Sequence, residues 1–600
     1  MSRKKLSKIR RADPFFERES ARYEFPLPSR EYVSQVLTDE GRPLSFIGLT
    51  ELMDIAGSER EMFQRRLGAM EREGQLMRNR KGDYILPERA SLTLGKIQGH
   101  PDGYGFLIPD DGSADIFLDQ HQMGKALHGD RALVRVTGID RKGRPEGGIV
   151  EVTERANTRV IGRVLVEHGV VFVVPENKRI AQDILVSVDK KSKFKPVAGQ
   201  VVMVDIIEQP SKFSKPIGQI TEVLGNYADP GMEIEIALRK HDLPFEFSKA
   251  ALEENKELPD KVKKTDLKGR EDLREIPLVT IDGETARDFD DAVFCEKSGR
   301  GWRLVVAIAD VSHYLKPGMA LDKEAMDRGN SVYFPRRVIP MLPEKLSNGI
   351  CSLNPDVERM AMVCDMEISA AGKIGKYRFY PAVFKSKARL TYNQVWSWLS
   401  GEAKPESEIH SALQPQLKNL YKLFQTLHKA REQRGAIDFE TTETQMLFNE
   451  QGKIENIVPV VRNDAHRVIE ECMLAANVCA SDFLAEHKQV CLYRVHAAPS
   501  EEKLRNLRTF LGEFGMALSG GDDPKAKDYA LLLEKVKLRP DFQLLQTVML
   551  RSLKQAMYSP DNVGHFGLAY EHYTHFTSPI RRYPDLLVHR AIKAVLDGEK

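Results

Sequence analysis

The stretch TIDGETARDFDDAVF, residues 280–294, places four aspartates within ten positions: Asp282, Asp288, Asp290 and Asp291. Two carboxylates about 4 Å apart repel each other by roughly 4 kcal/mol at an effective dielectric constant near 20. A cation can offset this repulsion, and Mg²⁺ binds carboxylate oxygens while it retains water or phosphate oxygens in its other positions. Two such ions about 3.5 to 4 Å apart can flank a phosphodiester, so that one activates water and the other stabilises the leaving oxygen. The spacing therefore predicts a site for hard divalent cations, of a kind that can serve phosphodiester hydrolysis.

The residues on either side of the cluster argue against two simpler interpretations. EIPLVTID, which ends at Asp282, and DAVFCEK, which begins at Asp291, predict two hydrophobic strands. An exposed acidic turn is disfavoured because Phe289 interrupts the acids and the strands enclose them. An EF-hand needs acids at alternate positions, then glycine and a distal glutamate, and this stretch does not follow that pattern. We therefore expect the aspartates at one strand end and in the loop behind it.

Residues 91–225 predict two β-barrels, because Val, Ile and Gly recur in them with a period of two. GYGFL places Tyr104 and Phe106 on one face of a strand, and Phe117 on the next strand joins them if the strands pair in register. Exposed rings in a row stack single-stranded bases, whereas buried rings would only fill the core. GYGFL and DIFLD resemble the ribonucleoprotein motifs of the cold-shock domain. A fainter second copy begins near residue 158, where Phe172 recurs without paired aromatics.

Two further features precede the barrels. Residues 29–88 predict a winged helix-turn-helix, with a helix from Leu49 to Ala56, a second helix capped by Ser58, and a hairpin around residues 81–83. Such units bind nucleic acid or dock onto proteins, and the residues leave both functions open. Residues 3–11 carry six Lys or Arg and no acid, which predicts either phosphate contacts or a solvated tail.

Length and composition allow predictions of the number of domains and of the cellular compartment. Six hundred residues exceed one hydrophobic core, and we predict a basic flexible arm, the winged helix-turn-helix, two cold-shock domains and one catalytic domain. Their predicted ranges are 1–24, 25–88, 91–155, 156–226 and 227–600. The sequence has no run of eighteen apolar residues and no signal peptide, so we expect a cytoplasmic protein without membrane contact. The six cysteines form no CxxC pair and are expected to be reduced and mostly buried.

The pattern D-x5-D-x-D-D formed by the aspartates resembles the signature of the ribonuclease II (RNB) superfamily of 3′ to 5′ exoribonucleases. The order of parts along the chain is similar to that family as well. The resemblance implies a multidomain α+β fold: an N-terminal winged helix-turn-helix, two OB-fold cold-shock barrels and a large mixed α/β RNB catalytic domain. It also implies hydrolysis of single-stranded RNA from a free 3′ end to nucleoside 5′-monophosphates, with Mg²⁺ as the cofactor and Mn²⁺ as a substitute.

The resemblance assigns metal-binding roles within the cluster. Asp282 and Asp291 would bind metal directly, and Asp288 and Asp290 would complete the site, with Asp290 the most critical for catalysis. One of the two arginines in SPIRRYP, Arg581 or Arg582, would stabilise charge on the scissile phosphate, and the sequence leaves open which one. Asp310 and His313 follow a buried strand and are expected close to the cluster, in a supporting role.

The resemblance also assigns RNA contacts downstream of the cluster: Tyr333, Tyr392, Phe439 and Glu470. Tyr333 and Phe439 would stack on the terminal nucleotides without reading their identity, and Glu470 would reach a ribose 2′-hydroxyl, which distinguishes RNA from DNA. Without the resemblance, both rings would be interpreted as core residues.

Two other functions stay open at this stage. An RNA-binding protein with an inactive nuclease domain is one, although all four aspartates are present. A DNA-directed two-metal nuclease is the other, and it would cut DNA and RNA equally. Ribosomes and RNA quality-control factors are further candidate partners, and a monomer is expected. Family members with this layout continue into an S1 domain and a basic tail, whereas this sequence ends at Lys600, so we expect a truncated chain or a variant without that domain.

Overall fold

A computed structural model describes residues 10, 12–23, 26–40, 43–73, 75–78, 82–86, 92–140, 143–187, 194–440 and 442–599. The chain divides into two compact units, Met1–Asp242 and Leu243–Lys600. Most of the basic stretch 3–11 lies outside the described residues. No helix in the described ranges is long and apolar enough to span a bilayer.

The first unit begins with helices and a short hairpin. They are α1 Phe16–Arg22, α2 Arg30–Glu40, α3 Phe46–Leu52, α4 Arg60–Arg72, β1 Met77–Arg78 and β2 Tyr84–Ile85. The helix predicted from Leu49 to Ala56 begins and ends earlier, because the Ser45 hydroxyl caps α3 by accepting the Gly48 N–H at 3.1 Å. Ser58 does not cap α4: it lies in a 3₁₀ turn, Gly57–Glu59, in front of that helix. The predicted order of helix, helix and hairpin is confirmed.

The described part of the predicted flexible arm is folded. The Asp13 carboxylate accepts hydrogen bonds from the Phe15 N–H at 2.8 Å and from the Ser29 N–H at 2.6 Å. Arg10 is buried and pairs with Glu59 at 2.8 Å. The prediction of flexibility was therefore wrong for these residues, because the acids that fix them, Asp13 and Glu59, lie beyond the basic stretch.

Two closed five-stranded barrels follow. The strands of barrel 1 are β3 Leu92–Gly99, β4 Gly105–Pro109, β5 Ile116–Leu118, β6 Arg131–Ile139 and β7 Pro145–Glu154, with a short helix α5 Gln120–Met123 after β5. The strands of barrel 2 are β8 Arg159–Glu167, β9 Val170–Pro175, β10 Ile184–Val186, β11 Gln200–Glu208 and β12 Ile217–Asn226. Each barrel includes one parallel pairing, β5 with β7 and β10 with β12. The two predicted barrels are thus present.

Helix α6, Met232–Lys240, belongs with barrel 2. Met232 shares a buried cluster with Ile161, Val201 and Met203 of the barrel, and Arg239 pairs with Glu222 at 2.7 Å. The catalytic domain was predicted to start at residue 227, but these contacts hold residues up to 242 in the first unit.

The second unit is built on a five-stranded sheet in the order β13-β20-β19-β16-β15. The strands of this unit are β13 Glu271–Asp272, β14 Thr280–Asp282, β15 Asp291–Ser298, β16 Gly301–Ala309, β17 Val332–Phe334, β18 Arg337–Ile339, β19 Glu358–Ile368, β20 Ile374–Lys385, β21 Arg389–Thr391, β22 Thr444–Phe448, β23 Ile454–Pro459, β24 Tyr493–Val495 and β25 Met557–Ser559. Strands β15, β16, β19 and β20 pair antiparallel, and β14 pairs parallel with β21 outside this sheet.

Helices and loops cover both faces of the large sheet. The helices are α7 Lys249–Glu257, α8 Val311–Tyr314, α9 Ala320–Arg328, α10 Tyr392–Ser400, α11 Glu408–Arg434, α12 Asp464–Glu486, α13 Glu501–Glu513, α14 Ala526–Val536, α15 Phe542–Ser552 and α16 Tyr583–Leu596. One face packs mainly on α10, α11, α12 and α16, and the other on α7 to α9 and residues 341–353. Both faces are apolar because both are buried. All six cysteines are free and buried, as predicted.

Candidate active site

The backbone places the four aspartates around one loop. Strand β14 ends at Asp282 and β15 begins at Asp291, as the flanking sequence predicts. Between them, the buried Phe289 anchors the loop: its N–H donates to the Ser352 hydroxyl at 3.0 Å, and its carbonyl accepts the Leu353 N–H at 3.0 Å. The aromatic interruption of the acidic run is therefore what fixes the loop to the protein.

Asp290 is the most enclosed of the four, with only 3% of its surface exposed. Its Oδ1 accepts the Ile580 N–H at 2.9 Å, and its Oδ2 lies 3.4 Å from Arg581 Nε. Oδ2 is buried and has no hydrogen-bond partner among the described residues. A buried carboxylate oxygen without a partner costs free energy unless a ligand supplies one.

The pKa values of three aspartates in the cluster are raised, and burial is the largest cause in each case. Burial raises the pKa of Asp290 well above its usual range, although Arg581 and the Ile580 N–H act in the opposite direction. Burial and then the charge of Asp282 raise the pKa of Asp291 to about 7. Burial also raises the pKa of Asp282, despite a 2.7 Å hydrogen bond from the Gly283 N–H. Arg581 therefore offsets the charge of the site only in part.

The donor set fits a hard divalent cation. It consists of carboxylate oxygens, one of them buried and unbonded, which is the ligand type that Mg²⁺ takes. Within the described ranges, no group of three or more His, Cys, Asp or Glu side chains is arranged so that it could hold a metal ion by itself. An ion held here would therefore need water or phosphate oxygens to complete its coordination, as Mg²⁺ usually does.

Two of the predicted tyrosines lie beside the aspartates. Tyr333, on β17, donates its hydroxyl to Asp288 Oδ2 at 2.9 Å, and 51% of its surface is exposed. Tyr392 begins α10 and stacks on His466, with ring centroids 4.0 Å apart. Burial, followed by the charges of Asp282 and Asp291, raises the pKa of Tyr392. An exposed ring at the cluster is available to a nucleotide, whereas Tyr392 already has a stacking partner.

The structure separates the two arginines that the sequence left open. Arg581 faces Asp290 and its side chain is 48% exposed. Arg582 turns away from the cluster and pairs with the buried Asp585 at 2.7 Å. Asp585 lies three residues further along the same helix start, so the i,i+3 spacing was a sequence signal for this pair. Of the two arginines, Arg581 is therefore the one that lies against the aspartates.

Glu470 and Phe439 have other neighbours. Glu470 lies on α12, as predicted, and its two oxygens accept from Arg431 and Arg462, each at 3.0 Å. Burial acts to raise the pKa of Glu470, but the hydrogen bonds and charges of Arg431 and Arg462 together more than offset it, so the pKa is lowered. Phe439 is half-buried against the helical cluster formed by α13 to α15. Their predicted RNA contacts stay predictions.

The three rings of barrel 1 form a surface patch in the first unit. Phe106 and Phe117 face each other across β4 and β5 with centroids 5.8 Å apart, and Tyr104, just before β4, lies within 5.9 Å of both. The guanidinium of Arg144 covers Phe106 at 5.2 Å and Phe117 at 4.9 Å. The rings are half-buried, and the barrel core consists of other residues, including Ile97, Leu107, Ile116 and Leu118. The core interpretation of these rings is therefore wrong.

Asp310 is a second buried aspartate close to the cluster. It follows β16, whose last residue, Ala309, donates its N–H to the Asp290 carbonyl at 2.8 Å. The Asp310 carboxylate pairs with Arg270 and with Lys593, each at 2.6 Å. These partners occupy it fully, so its place is structural. His313 lies next to the same group, 3.3 Å from Arg270.

Sequence reasoning missed Arg389, which contacts the loop of the aspartates. Its Nη2 donates to the Glu284 carbonyl at 2.6 Å. No motif signalled this contact, because the acceptor is a backbone atom more than one hundred residues away.

Comparisons with known proteins agree with this arrangement. The model of the RNB domain matches residues 270–598, that of the cold shock domain matches 172–248, and that of the ribonuclease B OB domain matches 95–152. Ribonuclease R of Vibrio cholerae is 49% identical over 98% of this chain and 72% of its own length. Ribonuclease R of Escherichia coli is also 49% identical, over 98% and 72%. The structure of Mycoplasma genitalium RNase R in complex with ribose-methylated single-stranded RNA is similar with a TM-score of 0.79 and 29% identity, covering 84% of this chain and 80% of that one.

Proposed function

The chain belongs to the ribonuclease R group of the RNB family, a group of 3′ to 5′ exoribonucleases, and we propose that its four-aspartate loop is where RNA is hydrolysed to nucleoside 5′-monophosphates. The observation that carries the proposal is Asp290: a buried carboxylate with one unbonded oxygen, beside a half-exposed arginine. This combination suits a site that binds a cation and a phosphate together.

We assign a separate role in the reaction to each group of the site. Arg581 sits where it can stabilise negative charge that grows on the non-bridging phosphate oxygens, and its planar guanidinium controls that geometry better than a lysine would. The aspartates would hold Mg²⁺, which when bound supplies an activated water and stabilises the leaving oxygen. The Ile580 N–H fixes the orientation of the Asp290 carboxylate from the opposite side.

The substrate is single-stranded RNA with a free 3′ end. Support comes from the Mycoplasma genitalium relative, whose structure contains single-stranded RNA. Tyr333 also supports it, because its half-exposed ring next to Asp288 can stack on a terminal base without reading its identity. Phe439, Tyr392 and Glu470 are proposed to complete the contacts to the last nucleotides.

The test compares Asp290→Asn with a matched surface control, Asp327→Asn, since Asp327 is exposed on α9. Both variants are incubated with 5′-labelled single-stranded RNA and with a deoxy oligomer of the same sequence. We expect Asp290→Asn to bind RNA like the wild type and to release no monophosphate, while Asp327→Asn stays active. Full activity of Asp290→Asn would refute the proposed site, and equal turnover of both oligomers would refute RNA specificity. Chelation should stop release, and added Mg²⁺ should restore it.

A further inference from the structure

Arg389 reaches from a neighbouring strand to the loop that carries the aspartates. It begins β21, which pairs in parallel with β14 so that Arg389 lies opposite Thr280 and Thr391 lies opposite Asp282. Its Nη2 donates to the Gly283 carbonyl at 3.2 Å and to the Glu284 carbonyl at 2.6 Å. These are the two residues that directly follow Asp282.

The same guanidinium also contacts the far end of the loop. Its carbon lies 5.5 Å from the ring centroid of Phe289, which is buried between Asp288 and Asp290 in the chain. One side chain therefore touches the loop just after the first aspartate and again among the last three. Arg389 makes no ion pair within 4 Å with any of these four described aspartates, although its charge acts against the burial that raises the pKa of Asp282. Its contacts with the loop are the two backbone carbonyls and the Phe289 ring.

A second tether starts from the same segment. The Asn393 amide donates to Glu284 Oε1 at 2.7 Å and accepts from the Asn463 amide at 3.0 Å. Asn463 is the N-cap of α12, so the tether connects the loop to a long buried helix. Glu284 is thus engaged in holding the loop, although it lies within the acidic run.

We propose that Arg389 is a positioning residue that sets the separation between Asp282 and the other three aspartates, and thereby the affinity of the site for its metal ion. The inference rests on the proposed function of that site. A planar guanidinium can donate to two carbonyls and stack on a ring in one fixed geometry, which the compact ammonium of lysine does not reproduce. Residues that orient metal ligands without touching the ion typically change metal affinity by about 10- to 100-fold when they are replaced.

The experiment compares the wild type, Arg389→Lys, Arg389→Ala and the control Arg300→Ala. Arg300 is exposed at the turn after β15, roughly 25 to 30 Å from Asp291 at about 3.3 Å per strand residue. Mn²⁺ binding to the RNA-free proteins is measured by electron paramagnetic resonance. Monophosphate release at saturating RNA is measured as a function of Mg²⁺ concentration.

We expect Arg389→Ala to bind Mn²⁺ about 10- to 100-fold more weakly, with release approaching the wild-type rate at high Mg²⁺ and RNA binding in chelator unchanged. Arg389→Lys should weaken Mn²⁺ binding less, and Asn393→Ala should act in the same direction if Arg389→Ala does not fold. Unchanged Mn²⁺ binding in both Arg389 variants would overturn the inference, and so would a lost rate that high Mg²⁺ does not restore. A wild type without metal-dependent release would instead overturn the proposed function.

Discussion

Asp290 and Asp310 are both buried aspartates, yet their pKa values are shifted in opposite directions. They are 3% and 1% exposed, and they flank the same end of the β15–β16 pair. Burial acts to raise both pKa values. At Asp310, Lys593 and Arg270 reverse the effect and hold the pKa well below its usual range, whereas at Asp290 the single Arg581 leaves the pKa well above it.

The difference shows how a functional carboxylate is recognised within a buried charge cluster. Asp310 has two cations at 2.6 Å and a hydrogen bond from Ser312 at 2.8 Å, so nothing further is required of a ligand. Asp290 keeps one oxygen without a partner among the described residues. Residue type and burial are the same for the two aspartates. They differ in the number of cationic side chains that pair with them: two for Asp310 and one for Asp290.

The largest expected effect is a loss of folding stability when Asp310, the neutralised member of the pair, is replaced. Asp310→Asn leaves the partly buried Arg270 and Lys593 without their counter-charge, and breaking a buried pair in this way typically costs about 3 to 5 kcal/mol of folding stability. Asp290→Asn removes a buried charge that the single Arg581 offsets only in part, so the free energy of unfolding of this variant should stay equal to that of the wild type or rise. Urea unfolding of the metal-free proteins measures both values. Equal destabilisation by the two substitutions would contradict the contrast.

A second prediction concerns the two adjacent arginines. Arg581→Lys should lower the rate of monophosphate release at saturating RNA by about 10²- to 10³-fold, or about 2.7 to 4 kcal/mol, which is typical for loss of one charge-stabilising donor. Arg582→Lys should shift the midpoint of unfolding more than the rate, because Arg582 serves the buried Asp585. Single-turnover kinetics and thermal unfolding of both variants measure these effects. A larger rate loss in Arg582→Lys would assign the phosphate contact to the other arginine.

The smallest predicted effect separates binding from chemistry. Phe106→Ala or Phe117→Ala should weaken binding of single-stranded RNA by roughly 1 to 3 kcal/mol for each base stack that is lost. Fluorescence anisotropy in an Asp290→Asn background measures this without degradation of the probe. Phe172 of barrel 2 is the control ring, since its cross-strand neighbours are Leu165 and Leu185. Equal losses at Phe106 and Phe172 would mean that the patch has no special part in binding.

Local patterns were enough for the aspartate loop and for the barrels. The strands on either side of TIDGETARDFDDAVF and the alternation around Phe106 both depend on neighbours within a few residues. Helix α1 also had such a signal, because Asp13 precedes it and two glutamates lie in its first turn, but the basic run before it outweighed these residues.

Long-range contacts were beyond the sequence. Ile580 reaches Asp290 through a backbone N–H across 290 positions, and a backbone donor carries no side-chain signature. The acceptors of Arg389 are backbone carbonyls, which likewise have no signature in the sequence. The neutralisation of Asp310 depends on Arg270 and Lys593, which lie 40 and 283 positions away. Spacing therefore located the acids, and only the fold distinguished the neutralised acid from the others.

The most direct test of the central claim is the effect of Mg²⁺ on the stability of the RNA-free protein. If the aspartates await a cation, Mg²⁺ at about 100 times its Kd should raise the free energy of unfolding of the wild type by about 2.7 kcal/mol. The same Mg²⁺ concentration should leave Asp290→Asn almost unchanged. An equal rise in both proteins, or no rise in the wild type, would contradict the assignment of the four-aspartate loop as the metal site.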